Sequence, residues 1–358
     1  MRDEAAVVGP GGTIGILGGG QLGRMLAMAA ARLGLHAHVF ESSEAPAAEV
    51  ARDWTRAGFD DAAALARFAE ACDVVTYEWE NVPLPAIEVV ARAAPVRPGG
   101  RALEVAQDRL AEKDFLAGLG LKVAAYARVD AAADLAGALD RVGATGILKT
   151  RRLGYDGKGQ ARFASADEAG AGLAALNGAP AIAEGLVRFE REISVIAARG
   201  LDGTVAAYDP GENVHRDGIL HTTTVPAQVP ARVAQDAVLI AGRILNALDY
   251  VGVIGVELFV TREGLVVNEI APRVHNSGHW TLDACLVDQF EQHVRAIAGW
   301  PLGDGTRHSD AVMTNLIGSD ASAAPGLRDA AVHLYGKAAA RPGRKMGHVT
   351  RIAPRSRP

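Results

Sequence analysis

Short apolar runs alternate with amphipathic stretches over the N-terminal third of the chain. The runs predict strands, and the stretches, whose apolar residues recur at helical spacing, predict helices. The predicted strands are Thr13–Leu17, His36–Phe40 and Val74–Tyr77, and the predicted helices are Leu22–Leu33 and Ala62–Ala71. Such alternation is typical of a parallel, doubly wound sheet, so the expected fold class is α/β. Proline and glycine cluster at Ala94–Gly100 and predict a domain edge.

The pattern changes beyond this edge. Helices are predicted at Arg101–Leu119 and Ala131–Val142, followed by a strand at Gly146–Thr150. The next short apolar runs have no long helix between them, which favours an antiparallel sheet. These runs are Ala181–Glu184, Glu192–Ala197 and Thr204–Tyr208.

Two longer apolar runs, Val251–Val260 and Leu265–Ile270, predict a β-hairpin. They flank Arg262-Glu263-Gly264, which predicts a three-residue turn with glycine in the left-handed conformation. Amphipathic helices are predicted on either side, over Ala231–Leu248 and Asp283–Ala298. The chain then becomes turn-rich and ends in a basic stretch. The sequence therefore predicts a parallel N-terminal domain, a larger mixed centre and a small C-terminal appendage.

The composition narrows the possible functions. Of 358 residues, 37 are Lys or Arg and 42 are Asp or Glu, so the net charge is −5 and no basic excess favours nucleic-acid binding. Cys72 and Cys285 are too few and too far apart for a disulfide framework or a zinc knuckle. No apolar run reaches the roughly 20 residues of a membrane span. Met1–Gly12 lacks the apolar core of a secretory signal and is expected to be a disordered extension.

The first candidate motif is Gly18-x-Gly20-x-x-Gly23, which lies between a predicted strand and a predicted helix. With Glu41 at the end of the next strand, it matches the dinucleotide fingerprint, in which phosphate approaches the helix N-terminus and the acid holds a ribose. Binding of NAD, binding of another phosphate ligand and a purely structural tight turn all remain open on this motif alone.

The second motif is a basic, glycine-rich loop that begins at Lys149 and continues to Gln160. Its glycines allow the backbone to fold over phosphate oxygens, and its lysines can neutralise a nucleotide tail. A solvated basic turn is the alternative. The loop is not a Walker A sequence, which excludes a P-loop nucleoside triphosphatase.

The third motif is a pair of acids on the predicted hairpin. Glu257 and Glu269 are equidistant from Glu263, so we expect them to face each other across the two strands. Facing like charges destabilise a sheet unless a cation lies between them. With Asn268 alongside, the pair predicts an oxygen-ligand site for Mg²⁺ that bridges nucleotide phosphates. An exposed edge pair of solvated carboxylates is the alternative.

The fourth motif is the polar loop Ala271–Trp280, which follows the Glu269 strand directly. Its Arg, His, Asn and Ser side chains offer the directional donors that a small oxyanion needs. His275 and His279 have the spacing of a zinc pair, but Pro272, Gly278 and the lack of an HExxH glutamate weaken that interpretation. A purely structural loop is the other alternative.

Taken in order, these motifs resemble the ATP-grasp superfamily, and within it the family of N5-carboxyaminoimidazole ribonucleotide synthetases. The resemblance runs from about Thr13 to His348, nearly the whole chain. The stretches that carry it are Gly18–Met25 (GGGQLGRM), Thr76–Asn81 (TYEWEN), Gln107–Lys113 (QDRLAEK), Gly154–Gln160 (GYDGKGQ), Phe189–Ser194 (FEREIS), Asn268–His279 (NEIAPRVHNSGH) and Gly343–His348 (GRKMGH).

The resemblance implies an ATP-grasp fold with a Rossmann-like pre-ATP-grasp domain at 1–106, an ATP-grasp domain at 107–300 with a lid at about 123–185, and a small C-terminal domain at 301–358. It implies that ATP and bicarbonate form carboxyphosphate, which carboxylates the amine of 5-aminoimidazole ribonucleotide. It also implies that the N-terminal domain binds no NAD. A formate-using ATP-grasp transformylase is the alternative on this scaffold. A NAD-dependent dehydrogenase and a non-catalytic nucleotide sensor are alternatives of other classes.

The resemblance also implies roles for individual residues. Contacts to ATP are expected from Arg109, Lys149, Gly154, Tyr155, Asp156, Gly157, Lys158, Gly159, Gln160, Glu184, Gly185, Leu186, Val187, Glu192, His215, Asn268 and Glu269. The expected Mg²⁺ ligands are Glu257 and Glu269, and the expected pocket for bicarbonate and carboxyphosphate consists of Arg273, His275 and Asn276. Contacts to the ribonucleotide are expected from Tyr155, Asp156, Lys158, Lys337 and Arg344, the last two to its phosphate.

The expected partners are small molecules rather than nucleic acid or a membrane, and the resemblance implies a cytoplasmic homodimer. Members of the family usually continue past the GHVT-like strand into a further helix. Here Pro358 follows soon after that strand, so a short C-terminal module is expected.

Overall fold

The computed structural model describes residues 6–154 and 159–356. Over these residues the strands form a four-stranded parallel sheet, a four-stranded antiparallel sheet and a nine-stranded sheet. Helices alternate with strands in the first sheet and pack against the other two sheets. The α/β fold class is therefore confirmed.

The N-terminal sheet is parallel, as predicted. Its elements are β1 (Thr13–Leu17), α1 (Gln21–Arg32), β2 (His36–Phe40), β3 (Asp53–Thr55), α2 (Ala62–Glu70) and β4 (Val74–Tyr77), followed by α3 (Leu84–Ala91), α4 (Gly100–Ala106) and α5 (Arg109–Gly118). The strand order is β3-β2-β1-β4. Val74 packs into the core that contains α1, while its neighbour Val75 packs into the core of α2 and α3. Helices therefore cover both faces, as a doubly wound sheet requires.

The second sheet is antiparallel and spans the middle of the chain. Its elements are β5 (Tyr126–Val129), a 3₁₀ turn (Ala132–Asp134), α6 (Leu135–Val142), β6 (Gly146–Thr150), β7 (Gln160–Phe163), α7 (Ala166–Ala175) and β8 (Ala181–Gly185). The order is β5-β8-β6-β7, and both helices pack on one small apolar core. Strand β6 lies between β8 and β7 and is hydrogen-bonded to both. This pairing fixes the position of Lys149 near the end of β6.

The third sheet is the largest, and every strand pair in it is antiparallel. Its elements are β9 (Arg191–Arg199), β10 (Val205–Ala207), β11 (Gly211–Arg216), β12 (Ile219–Val225), α8 (Ala231–Ala247), β13 (Gly252–Thr261), β14 (Gly264–Ala271), α9 (Thr281–Ala284), α10 (Gln289–Ala298), β15 (Ser309–Ile317), β16 (Ala331–Leu334) and β17 (Lys345–Pro354). The order is β14-β13-β9-β11-β12-β15-β17-β16, and β10 pairs with β9.

Buried residues of β9 alternate between two cores. Ile196 and Ala198 pack with α1 and α10, whereas Val195 and Ala197 pack with α8 on the opposite face. Because both faces are covered, the strand is a continuous apolar run instead of an alternating one. The neighbouring strand β13 packs into the same two cores, through Val253 on one face and Ile254 on the other.

Two predicted helices are each divided by an aspartate. The stretch predicted as one helix from Arg101 to Leu119 forms α4 and α5, because Asp108 caps α5 by accepting hydrogen bonds from the amides of Leu110 and Ala111. Likewise, Asp288 caps α10 and separates it from α9. Both single-helix predictions were wrong. Because aspartate is a favoured N-cap residue, the sequence did contain a signal for each break.

The two ends of the chain are tied into the fold. The amide of Val8 donates to the Ala298 carbonyl at 2.8 Å, and Trp300 Nε1 donates to the Val8 carbonyl at 2.7 Å. The expectation of a disordered extension is therefore wrong for residues 6–12. At the other end, β15–β17 continue the large sheet and do not form a sheet of their own. Among the described helices, none combines the length and apolarity needed to cross a bilayer.

Candidate active site

The β13–β14 hairpin closes with two residues instead of the predicted three. Thr261 pairs with Gly264, which leaves Arg262 and Glu263 as the turn. Gly264 has a φ of 112°, a conformation that favours glycine. Because the turn is one residue shorter than predicted, every cross-strand pair of a regular ladder would shift by one residue.

Glu257 nevertheless faces Glu269, as predicted, because the ladder contains a bulge. From a two-residue turn, a regular ladder would set Glu257 against Asn268. The register shifts between Glu257 and Leu258, so that Asn268 is an extra residue in β14. The bulge, and not symmetry about Glu263, brings the two carboxylates together.

The two acids have different electrostatic environments. Arg109 Nη1 donates to Glu269 Oε2 at 3.0 Å. Burial raises the pKa of Glu269, but the charges of Arg109 and Lys149 outweigh burial and hold that pKa below its usual value. Burial and the charge of Glu269 raise the pKa of Glu257. A divalent cation between the carboxylates would relieve this repulsion, so the donor set fits Mg²⁺.

A buried cluster of opposite charges joins the small sheet to α5. Lys149 Nζ lies 3.0 Å from Glu184 Oε2, and Lys113 Nζ lies 3.8 Å from the same atom. Burial raises the pKa of Glu184, but the two lysines outweigh it and lower that pKa. Glu184 Oε1 has no hydrogen-bond partner among the described residues. Its lone pairs are available to a ligand donor.

Glu192 and His215 lie on neighbouring strands of the large sheet. His215 Nδ1 is 2.6 Å from Glu192 Oε2. Burial lowers the pKa of His215, but the hydrogen bond and charge of Glu192 outweigh burial and raise it. The pair is half-buried and lies near Glu257, whose charge also acts on His215.

Only part of the predicted glycine-rich loop lies within the described residues. Tyr155, Asp156, Gly157 and Lys158 fall outside them, so their roles stay predictions. The described ends of the loop are in contact with the rest of the site. Arg109 Nη2 donates to the Gly154 carbonyl at 3.2 Å, and the Thr150 amide donates to the Gly159 carbonyl at 2.8 Å. Gln160 is the first residue of β7, Gly185 is the last residue of β8, and Leu186 and Val187 follow it.

The polar loop after β14 contains one residue that points toward the acid pair. His275 Nε2 lies 3.6 Å from Glu257 Oε1. Its Nδ1 is 2.8 Å from Ser277 Oγ, which accepts a hydrogen bond from Ser194 at 2.7 Å. Burial, with a smaller contribution from Arg273, lowers the pKa of His275 to about 3. The ring is therefore neutral and oriented by two serines.

Arg273 is paired with an acid that sequence reasoning missed. Its Nε donates to Glu80 Oε2, and Nη1 donates to the Val274 carbonyl at 3.1 Å. Burial raises the pKa of Glu80, but the guanidinium outweighs burial and lowers it. Glu80 lies in the TYEWEN stretch, one of the family motifs, and this motif is the sequence signal from which its role could have been predicted. The N–H groups of Arg273 Nη2 make no hydrogen bond to another described residue and remain available to an anion.

Asn276 is engaged within the protein. Its Nδ2 donates to Asn315 Oδ1 at 2.9 Å, and Asn315 Nδ2 donates to Asn276 Oδ1 at 2.7 Å. Both residues are almost fully buried. This reciprocal pair favours a positioning role for Asn276 over direct contact with an oxyanion. Asn315 carried no sequence signal.

The zinc interpretation of the polar loop has no geometric support. His279 Nδ1 is 3.0 Å from Gln289 Nε2, and its ring packs on His348, whereas His275 faces Glu257. Asp283, His333 and His348 do offer three ligand atoms within 4.8 Å. The rings of His333 and His348 are stacked with 13° between their planes, however. Because imidazole lone pairs lie in the ring plane, stacked rings do not converge on one ion.

The predicted phosphate contacts lie on the segment between β16 and β17. Lys337 Nζ donates to the Lys345 carbonyl at 2.7 Å and lies 5.6 Å from the Tyr335 ring centroid. Burial, followed by the charge of Arg344, lowers the pKa of Lys337 to about 8. Arg344 Nη2 is 3.4 Å from Glu44 Oε2. The two cations thus face the N-terminal domain together.

The glycine fingerprint of α1 holds a carboxylate from its own chain. Glu78 Oε1 accepts from the Gly20 amide at 2.8 Å, and Oε2 accepts from the Gly23 amide at 3.4 Å. A Cβ on Gly18 would meet Glu78 at 2.8 Å, which explains the need for glycine. The anion site of a dinucleotide fold is therefore filled by protein. This finding argues against NAD, and the fingerprint alone could not have revealed it.

Comparisons with known proteins agree with this architecture. Family models match over most of the chain: the ribonucleotide synthetase pre-ATP-grasp domain at residues 12–107, the ATP-grasp domain at 114–290 and the phosphoribosylaminoimidazole carboxylase C-terminal domain at 311–357. The N5-carboxyaminoimidazole ribonucleotide synthase of Brucella melitensis is 56% identical over 354 residues, which cover 97% of this chain and 98% of that protein.

Solved structures of this family have the same fold as the chain. An ADP complex of an N5-carboxyaminoimidazole ribonucleotide synthetase has a TM-score of 0.94 at 39% identity and covers 97% of this chain and 94% of its own. The Aspergillus clavatus N5-carboxyaminoimidazole synthase, in complex with ADP and 5-aminoimidazole ribonucleotide, has a TM-score of 0.88 at 33% identity, with coverages of 96% and 94%. The expected ATP-grasp architecture, with its pre-ATP-grasp and C-terminal domains, is confirmed.

Proposed function

This chain belongs to the N5-carboxyaminoimidazole ribonucleotide synthase family, and we infer that it is an ATP-grasp ligase of purine biosynthesis. It carboxylates the amine of 5-aminoimidazole ribonucleotide at the expense of ATP. A bicarbonate oxygen attacks the γ-phosphorus, the bond to the β–γ bridging oxygen breaks, and ADP leaves carboxyphosphate behind. The amine nitrogen then attacks the carboxyl carbon, phosphate leaves, and the nitrogen releases one proton.

We assign the nucleotide end of the site to the charges that surround Glu269. Arg109 and Lys149 are cations whose side chains converge near this acid, and they would neutralise the phosphates of ATP. The segment Glu184–Val187 would hold the adenine, with Glu192 and His215 near the ribose. The other proposed ATP contacts are Gly154, Tyr155, Asp156, Gly157, Lys158, Gly159, Gln160 and Asn268.

Glu257 and Glu269 are the proposed ligands of Mg²⁺. Support comes from their opposed, half-buried carboxylates and from the pKa of Glu257, which is raised by burial and further by the charge of Glu269, a repulsion that a cation would remove. The cation supplies charge neutralisation to the terminal phosphates when bound. Two protein carboxylates leave the remaining positions to phosphate oxygens and water, as is usual for Mg²⁺.

The bicarbonate pocket is proposed at the loop that follows Glu269. Arg273 would hold the oxygens of bicarbonate and then of carboxyphosphate through its remaining donor. His275, neutral and 3.6 Å from Glu257, would orient the anion beside the metal pair. Asn276 would act through the loop it fixes. Enclosure by protein also protects carboxyphosphate from water.

The ribonucleotide is proposed to bind with its phosphate on Lys337 and Arg344, which face the N-terminal domain. Tyr155, Asp156 and Lys158 are its other proposed contacts. We also propose that the protein is a cytoplasmic homodimer, as the resemblance implies. Light scattering during size-exclusion chromatography checks the dimer, because it would give twice the monomer mass of 37.2 kDa.

One observation carries the bicarbonate assignment: the loop of Arg273 and His275 leaves the strand of Glu269 and turns back toward Glu257. The test is ADP release with 5-aminoimidazole ribonucleotide and either bicarbonate or formate, in carbon-dioxide-depleted buffer. We expect turnover with bicarbonate alone, and ¹³C-bicarbonate should label the product. Equal turnover with formate would instead support the transformylase alternative.

A further inference from the structure

Two consecutive residues of α5 hold the outer edge of β14 at its bulge. Lys113 Nζ donates to the carbonyl of Asn268, the bulged residue. Glu112 Oε1 accepts from the Ile270 amide at 2.6 Å. The two bonds therefore fix backbone groups immediately before and immediately after Glu269.

Both side chains are deeply buried, with 2% of Glu112 and 1% of Lys113 exposed. Burial of charged groups is costly, and a hydrophobic pair of similar volume often stabilises a fold as well or better. Helix α5 already has an apolar anchor in Leu116, which packs into the core beneath the sheet. Core packing alone does not require a buried charged pair at these positions. A role in shaping β14 explains why Glu112 and Lys113 are present there.

A regular pairing of β13 and β14, without the bulge, competes with the observed pairing. In that regular pairing, Asn268 would face Glu257, and Glu269 would move to the next position of the ladder. A one-residue slip in a strand turns each side chain to the opposite face of the sheet. Glu269 would then point toward the apolar core around α8, away from Arg109. The register thus decides whether the acid pair exists.

We propose that Glu112 and Lys113 are positioning residues that hold the Asn268 bulge and so place Glu269 opposite Glu257 for metal binding. This inference rests on the proposed Mg²⁺ site. The two residues touch neither metal nor substrate in this arrangement. They act on the metal through the backbone, in the way that outer-shell partners orient ligands in other metal sites.

Glu112 is the cleaner probe, because Lys113 also lies near Glu184 of the nucleotide site. The measurement is calorimetric titration of Mn²⁺, which prefers the same oxygen ligands as Mg²⁺, into enzyme with ADP. In Glu112→Leu, loss of the acceptor should weaken Mn²⁺ binding by about 10-fold or more. In Glu112→Gln, the amide oxygen can accept the same bond, so binding should stay near wild type. Leu116→Ala is the matched control, since it weakens the packing of α5 but leaves the hydrogen bonds of Glu112 and Lys113 to β14 in place.

Hydrogen exchange followed by mass spectrometry gives a second readout that needs no activity. Glu112→Leu should speed exchange in a peptide that covers residues 264–271, and Glu112→Gln should not. The inference is overturned if Glu112→Leu binds Mn²⁺ with wild-type affinity, or if Leu116→Ala weakens binding equally. Glu269→Gln in the same titration separates the two ideas: unchanged binding there would refute the metal site itself.

Discussion

His275 Nε2 lies 3.6 Å from Glu257 Oε1, which joins the polar loop after β14 to the acid pair within the hairpin. The contact puts a neutral donor beside the place where the terminal phosphate and bicarbonate are expected to meet. Among the described residues, the polar loop thus contacts the acid pair and not Glu184 and its neighbours, which are proposed to hold the adenine.

His275→Ala should therefore slow carboxylation strongly and leave ATP binding near wild type. Removal of one donor to a developing oxyanion costs about 2.7–4 kcal/mol in comparable sites, or roughly a hundred-fold or more in rate. Product formation and calorimetric ATP titration check the two halves of this expectation. Loss of ATP binding together with activity would assign the loop to the nucleotide site.

Glu269→Gln should abolish turnover while the protein remains folded. The lost charge would sit on Mg²⁺, and its removal should cost on the order of 10³-fold in rate. The matched control is Glu263→Gln at the exposed tip of the same hairpin, which should retain full activity. Circular dichroism confirms folding, and activity is measured across Mg²⁺ concentrations. Near-normal activity of Glu269→Gln would withdraw the metal assignment.

The affinity for the ribonucleotide should fall as pH rises through about 8. Lys337 is protonated below that pKa and can pair with phosphate, whereas above it the neutral amine cannot. We expect kcat/KM for the ribonucleotide to decrease over this range and that for ATP to show no such step. Lys337→Arg keeps its charge at every accessible pH and should remove the step. A step that persists in Lys337→Arg would show that another group titrates.

Asn315→Leu should lower the free energy of unfolding by about 1–3 kcal/mol, because it leaves the buried amide of Asn276 without its partner. Urea denaturation followed by fluorescence measures the change. The double variant Asn276→Leu/Asn315→Leu should be no less stable than the single variant, since Asn276 then leaves no amide unpaired and the bond from Asn315 to the Leu220 carbonyl is lost in both variants. Additive losses would mean that the two amides contribute independently.

Local signals in the sequence predicted most strands of the N-terminal sheet and both strands of the hairpin. They missed β15 and β17, because the segment after Thr306 was expected to be turn-rich. The facing of Glu257 and Glu269 was predicted correctly, but from a three-residue turn, whereas the structure has a two-residue turn and a bulge. The helix breaks at Asp108 and Asp288 could also have been predicted from the sequence, because aspartate at these positions is an N-cap signal. The bulge at Asn268 could not have been, since it depends on α5, about 155 positions away along the chain. Glu78 over Gly20 and the Asn276–Asn315 pair are likewise products of long-range packing. Motifs identify such residues, but only the fold shows what they touch.

The continuity of β13, β14 and β17 within one sheet has a consequence for substrate selection. The acid pair and the segment of Lys337 and Arg344 are joined by an unbroken series of hydrogen-bonded strands, while Lys149 belongs to the separate four-stranded sheet. The distance from the proposed carboxylation site to the proposed phosphate-binding cations would therefore be set within one sheet and the segment that precedes β17. On this proposal, a ribonucleotide would be selected by the distance between its amine and its phosphate, and a movement of the smaller sheet would change neither end.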